Sequence, residues 1–232
     1  MSVEKFENEK WQNKEQGINF RLEAALNMVA KGPAYVERSF AGPTAALPPY
    51  RVLDLGCGDG IFLELLKEKG IVGEGLDISK VAIEKAKNKG LSVEQFDFDS
   101  GNLPFADNFF EVAVLLDVLE HLYQPQNILR EASRVAREVV LAVPNFNSLP
   151  ARLQALIGRV PENNSPKKGH IYWFNFKILQ KMLEDNGFKI VEMKTNTIFS
   201  QRPLFKNIFK FLAKVFPNAF ALSFVVRAKK YE

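Results

Sequence analysis

Apolar and polar positions along the chain repeat one pattern: a short, nearly unbroken apolar run, a break rich in glycine or acid, then an amphipathic stretch with apolar residues three and four apart. The runs at Val52–Leu55 and Phe109–Leu116 predict strands buried on both faces of a parallel sheet, and Ile71–Asp77, Leu91–Phe96, Val139–Val143 and Phe188–Met193 predict further strands. Between them, Ile61, Leu65 and Leu66 form a helical stripe ended by Gly70, and Ala82, Ile83 and Ala86 form another between the N-cap Ser79 and Gly90. Pro125 opens a third helix with Ile128, Leu129, Ala132, Val135 and Ala136 inward, and Asn175 caps a fourth with Ile178, Leu179, Met182 and Leu183. Strands alternating with helices give an α/β, doubly wound architecture. Ahead of these units, Phe20 to Lys31 has helical spacing, whereas residues 1–16, polar and charged around Trp11, predict a loosely held lead-in. Gly42, Pro43, Pro48 and Pro49 predict an irregular connection from Ser39 to Tyr50.

The first strand runs into Asp54-Leu55-Gly56-Cys57-Gly58-Asp59-Gly60. Glycine lets the backbone adopt positive φ and approach a ligand closely, at the strand's carboxyl end where such folds bind small molecules. The spacing Gly-x-Gly-x-Gly differs from the Gly-x-Gly-x-x-Gly of a pyrophosphate loop, and a carboxylate two residues upstream suits an ammonium and sulfonium ligand. Asp77 lies 17 positions beyond Gly60 at the second strand's tip, where it can accept hydrogen bonds from both hydroxyls of a ribose.

These residues resemble the first motif of the class I S-adenosylmethionine (SAM)-dependent methyltransferases. The resemblance implies a three-layer, seven-stranded, mostly parallel sheet whose last strand, Ala219 to Ala228, is antiparallel. It implies SAM as cofactor, S-adenosylhomocysteine (SAH) as product and no metal. Cofactor contacts are then expected from Asp54, Gly56, Cys57, Gly58, Gly60, Asp77, Ile78, Asp97, Phe98 and Leu116. Family position assigns Asp97 to the adenine amino group and the Phe98 N–H to the ring, with Asp99 as the competing acid.

The string Leu116-Asp117-Val118-Leu119-Glu120-His121-Leu122 resembles the type 11 branch of these enzymes. Asp117 and His121 are candidate general bases, read here as site-lining groups. Pro144-Asn145-Phe146, Ala151 to Gln154, Gly158-Arg159 and His170 resemble the methionine biosynthesis protein W family, over about residues 51–190 and departing beyond Pro161. The insertion at residues 145–174 is expected to act as a lid. Its His170 is the leading candidate for acid/base work or substrate orientation, and Tyr172 and Trp173 are expected to line the acceptor side. Arg21 is a candidate partner for the cofactor carboxylate, against the alternative of a solvated helix-surface arginine.

With 232 residues and 47% hydrophobic residues, the chain can bury one substantial core, and the whole of 1–232 is expected to be a single domain. Cys57 is the single cysteine, which fits a reducing cytosol and forbids an internal disulfide. The first residues lack a signal-peptide core, and no apolar run is long enough to span a membrane. The net charge of +4 is concentrated near the end: residues 201–232 carry seven Lys or Arg against one Glu, leaving 24 basic and 26 acidic groups elsewhere. That balance argues against nucleic acid as a partner. In the basic, Phe-rich stretch Pro203 to Phe216, lysines spaced four apart interrupt a broad apolar face, which predicts either a core helix or peripheral contact with a membrane or lipid-linked acceptor.

The expected reaction is in-line displacement of the sulfonium methyl by an O, N or C nucleophile of a small-molecule, lipid or glycan-precursor acceptor. Two alternatives stand beside it: a non-catalytic SAM-binding accessory protein that contacts another protein, as the family resemblance allows, and a nicotinamide-dependent oxidoreductase.

Overall fold

A computed structural model describes residues 2–12, 17–31, 50–164, 168–197 and 203–231. Helices α1 (Val3–Gln12) and α2 (Phe20–Ala30) precede β1 (Arg51–Leu55), α3 (Ile61–Glu68), β2 (Val72–Asp77), α4 (Lys80–Asn88) and β3 (Val93–Gln95). Then come β4 (Phe110–Leu116), a 3-10 turn (Leu119–His121), α5 (Pro125–Val135), β5 (Ala136–Pro144), α6 (Leu149–Leu156) and α7 (Phe176–Asp185). The chain continues through β6 (Phe188–Thr197), α8 (Pro203–Val215), the short α9 (Pro217–Phe220) and β7 (Ala221–Lys230).

The seven strands form one sheet in the order β3-β2-β1-β4-β5-β7-β6. Pairings from β3 to β5 are parallel, and β7 lies between β5 and β6, antiparallel to both. Alternating side chains divide the interior in two. Val52, Val112, Val114 and Val140 pack with α2, α3 and α4, while Leu53, Leu55, Ala113 and Leu115 pack with α5, α7 and Ala213 of α8. Three layers result, as expected for the α/β class. The caps form as their residue types predict: the Asn19 side chain accepts from the N–H groups of Arg21 and Leu22, Ser79 from Ala82, and Asn175 from Ile178.

The lead-in departs from expectation, because residues 3–12 form a helix docked on the sheet's ligand end. Trp11 is buried. The Asn8 carboxamide oxygen accepts from the Ser79 hydroxyl at 2.8 Å and the Val81 N–H at 3.2 Å, and Lys85 donates to the Trp11 carbonyl at 2.7 Å. The third strand is shorter than its apolar run, since β3 is an edge strand in which only Val93 is buried. The connection expected from Ser39 to Tyr50 lies, apart from Tyr50, outside the described residues. On α8, Ala213 is buried and Phe209 and Leu212 are half-buried, while Ile208, Phe211 and Val215 form an exposed apolar stripe beside exposed Lys210 and Lys214.

Candidate functional site

Parallel pairing sets Leu55 of β1 beside Leu76 of β2, so both strands end at the same level. There the Leu76 carbonyl accepts from the N–H groups of Gly56 at 2.7 Å and Cys57 at 3.1 Å, fastening the glycine loop to β2. The loop turns through φ of 81° at Gly56, 55° at Gly58 and 83° at Gly60, a region that side chains disfavour. A Cβ on Gly56 would lie 2.3 Å from Val118 Cγ2, so space forbids it as well.

Asp77 closes the loop from the other side. Its Oδ2 accepts from the Gly58 N–H and its Oδ1 from the Ser79 N–H, each at 2.8 Å. A carboxylate offers about four lone-pair sites, leaving two for a ligand. Asp77 lines a cavity of about 270 Å³ together with Gly56, Ile78, Asp97, Phe98 and Leu116. Asp99, Asp117, Val118 and His121 line it too. Six of the ten expected cofactor contacts thus meet at one opening over the ends of β1, β2 and β4. Cys57, Gly58 and Gly60 belong to the loop without lining the cavity. Asp54, only 2% exposed, lies behind the loop in β1.

Burial pushes the Asp54 carboxyl up to about 8, with the neighbouring Asp77 charge adding to it. Burial also raises Asp77, against the pull of the Ser79 and Gly58 N–H groups. The Cys57 thiol is pushed well above its ordinary value, first by burial and then by Asp54 and Asp77, which keeps it protonated. Without ligand, burial behind the loop therefore favours a proton on Asp54, which a cationic ligand would displace.

On the far side, Asp117 adopts φ 59° and forms an ion pair with Arg21 of α2. This pair occupies Arg21, which was expected either at the cofactor carboxylate or in solvent. His121 Nδ1 lies 3.1 Å from the Gly169 carbonyl, and His170 Nδ1 lies 2.8 Å from that of Asn163. Their rings meet edge to face at 4.9 Å. His170 lies outside the large cavity, with Nε2 3.9 Å from Glu120 Oε1. Tyr172 packs on the core, and Trp173 is 56% exposed and stacked near Phe146, so neither lines the cavity. Nor does any described residue of the expected lid at 145–174.

The roof comes instead from α1 and its approach to α2: Val3, Glu7, Lys10, Trp11, Gly17 and Asn19. Sequence reasoning passed over these residues. The signal was present, because positions 3, 7, 10 and 11 share one helical face, but charged Glu7 and Lys10 hid the stripe.

The profile of the methionine biosynthesis protein MetW family matches residues 45–210. Ubiquinone biosynthesis O-methyltransferase from Hahella chejuensis is 32% identical over 42% of this chain and 43% of its own. Norajmaline N-methyltransferase from Rauvolfia serpentina is 33% identical over 44% of this chain and 39% of its own. The match thus spans less than half the length of either relative. Magnesium protoporphyrin IX methyltransferase from Synechocystis PCC 6803, in its structure with bound SAH, shares the fold with a TM-score of 0.63 and 19% identity, covering 99% of this chain and 98% of that one.

Proposed function

The chain belongs to the methionine biosynthesis protein MetW family, and from that premise we propose that it is a SAM-dependent methyltransferase acting on an oxygen of a small organic or lipid-linked acceptor. The observation that carries this reading is the opening where the glycine loop, Asp77 and the Asp97-Phe98 pair converge. In the proposed complex, Asp77 holds the ribose, Asp97 and Phe98 hold the adenine, and the loop carries the amino-acid end near Asp54. Sulfonium methyl is already an activated electrophile, so orientation supplies much of the rate, up to about 7–11 kcal/mol. Both relatives are methyltransferases by name, one transferring to oxygen, which favours methyl transfer over nicotinamide chemistry.

Thermal shift with SAM, SAH and NAD tests the ligand, and radiolabelled SAM tests turnover against metabolite and lipid extracts. Stabilisation by SAM and SAH with labelled product is expected. Stabilisation by NAD alone would overturn the proposal, while SAM binding without turnover, in a complex with a second protein, would support the accessory role.

Asp54 adds a pH dependence. Its raised folded-state pKa makes the ligand-free protein retain a proton that the unfolded chain releases. This group's contribution to stability is fully present below about pH 4 and is lost as pH rises through about 8. A cationic ligand favours the ionised form, so SAM affinity should rise between pH 6 and 7.5, by at most about tenfold per unit. Calorimetry in buffers of different ionisation enthalpy should detect the released proton. Asp54→Asn should flatten the rise; an equal rise in that variant would assign it to another group.

Among the described residues, no helix is long and apolar enough to cross a membrane. Ile208, Phe211, Val215 and Phe216 are exposed beside Lys210 and Lys214, which supports peripheral contact with an anionic membrane near a lipid-linked acceptor. Co-sedimentation with phosphatidylglycerol vesicles should be strong, and Phe211→Glu should cut it severalfold. Equal sedimentation would argue against this face.

A further inference from the structure

Glu120 follows the turn after β4 and is 0% exposed, with neither carboxylate oxygen hydrogen-bonded among the described residues. A buried carboxylate without a donor is costly unless a proton or a cation compensates it. One ligand atom from each of Glu120, His121 and His170 falls within 4.8 Å of the other two. We propose that these three residues bind a single divalent transition-metal cation.

The histidines are oriented for this role. A carbonyl oxygen only accepts, so the contacts to Gly169 and Asn163 place the hydrogen of each neutral ring on Nδ1. Nε2 keeps its lone pair in both. A backbone carbonyl that fixes the ring and leaves the other nitrogen for the ion is the usual outer support of a metal-binding histidine. The backbone also holds the insertion in place, since the Ile171 and Tyr172 N–H groups donate to the Glu120 carbonyl at 2.8 and 3.0 Å. That clamp sets His170 over the carboxylate despite their distance along the chain.

Ligands about 2.0–2.2 Å from an ion stand about 3–3.5 Å apart. Closing the present 3.9 Å between His170 Nε2 and Glu120 Oε1 thus takes only a small side-chain movement. Two imidazoles and one carboxylate suit borderline ions such as Zn²⁺, Mn²⁺ or Fe²⁺ better than Ca²⁺. Asp117, paired with Arg21, is the further acidic group facing Glu120.

His121 also lines the cofactor cavity and a second one formed with Phe6, Tyr123, Gly169 and Ile171, while Glu120 and His170 line neither, which makes this an enclosed site beside the cofactor cavity. The ion site does not rest on the methyl-transfer reading.

Metal-stripped chain should be titrated with Co²⁺, followed by its visible absorption, and with Zn²⁺ by calorimetry; SAH binding is measured on the same samples. One Co²⁺ per chain, displaced by Zn²⁺, is expected. Glu120→Gln and His170→Gln should each weaken it at least about tenfold while SAH binding persists. No stoichiometric binding, or binding unchanged in both variants, overturns the ion site and leaves Glu120 compensated by a proton. Should Glu120→Gln fail to fold, His170→Gln decides alone. Loss of SAH binding in the parent chain would count against the methyl-transfer reading instead.

Discussion

Gly56→Ala is expected to lower SAH affinity by more than tenfold and to cost about 2 kcal/mol or more of stability, the larger part as backbone strain at positive φ. Two constraints act together at this position. The φ of 81° is unfavourable for alanine, and the new methyl would begin 2.3 Å from Val118 Cγ2. The loop cannot retreat, because the Gly56 and Cys57 N–H groups are both fixed to the Leu76 carbonyl. Val118 must therefore yield, and Val118 lines the cavity. Gly70→Ala is the control: φ is 69° there and no atom lies within 4 Å of the added Cβ. It should cost about 1 kcal/mol and leave SAH affinity unchanged. Calorimetric titration and denaturant unfolding of both variants check the pair. Equal SAH affinity in Gly56→Ala and the parent would show that the loop does not face the ligand.

Asp77→Ala should be the most damaging change at the proposed ribose contact, lowering SAM affinity by at least about tenfold, because charge-assisted hydrogen bonds contribute about 1.5–3 kcal/mol each. The same variant strips acceptors from the Gly58 and Ser79 N–H groups, so a stability loss of about 1–3 kcal/mol should accompany it. Asp77→Asn separates shape from charge. Its amide keeps one accepting oxygen and must turn an NH₂ toward one of those two N–H groups, so the isostere should rescue stability only partly. Fluorescence titration with SAM beside thermal unfolding gives both quantities. An unchanged dissociation constant in Asp77→Ala would move the ribose elsewhere.

The parts legible in the sequence were those whose local pattern coincides with their tertiary role. β4 reads as a strand because Val112 to Leu115 are buried on both faces, and the glycine loop reads as a ligand turn because three positions need positive φ. Ser79 and Asn175 announced helix starts because their side chains bond their own helices. What stayed hidden depends on distant partners. Helix α1 looked like solvated charge because Trp11 and Asn8 gain their roles only against α4. Glu120 lay within a recognised string, yet the backbone bonds from Ile171 and Tyr172 to its carbonyl are ones that no local spacing announces. The expected wall at Tyr172 and Trp173 did not reach the cavity, because aromatic content says nothing about which way a loop faces.

The place of β7 has a consequence for how the chain comes into being. Until Ala221–Lys230 has been synthesised, β5 presents an unpaired edge through Val139 to Val143, and β6 has no neighbour to hold it. Prematurely terminated chains should therefore be sticky rather than merely inactive, because an open apolar edge recruits strands from other molecules.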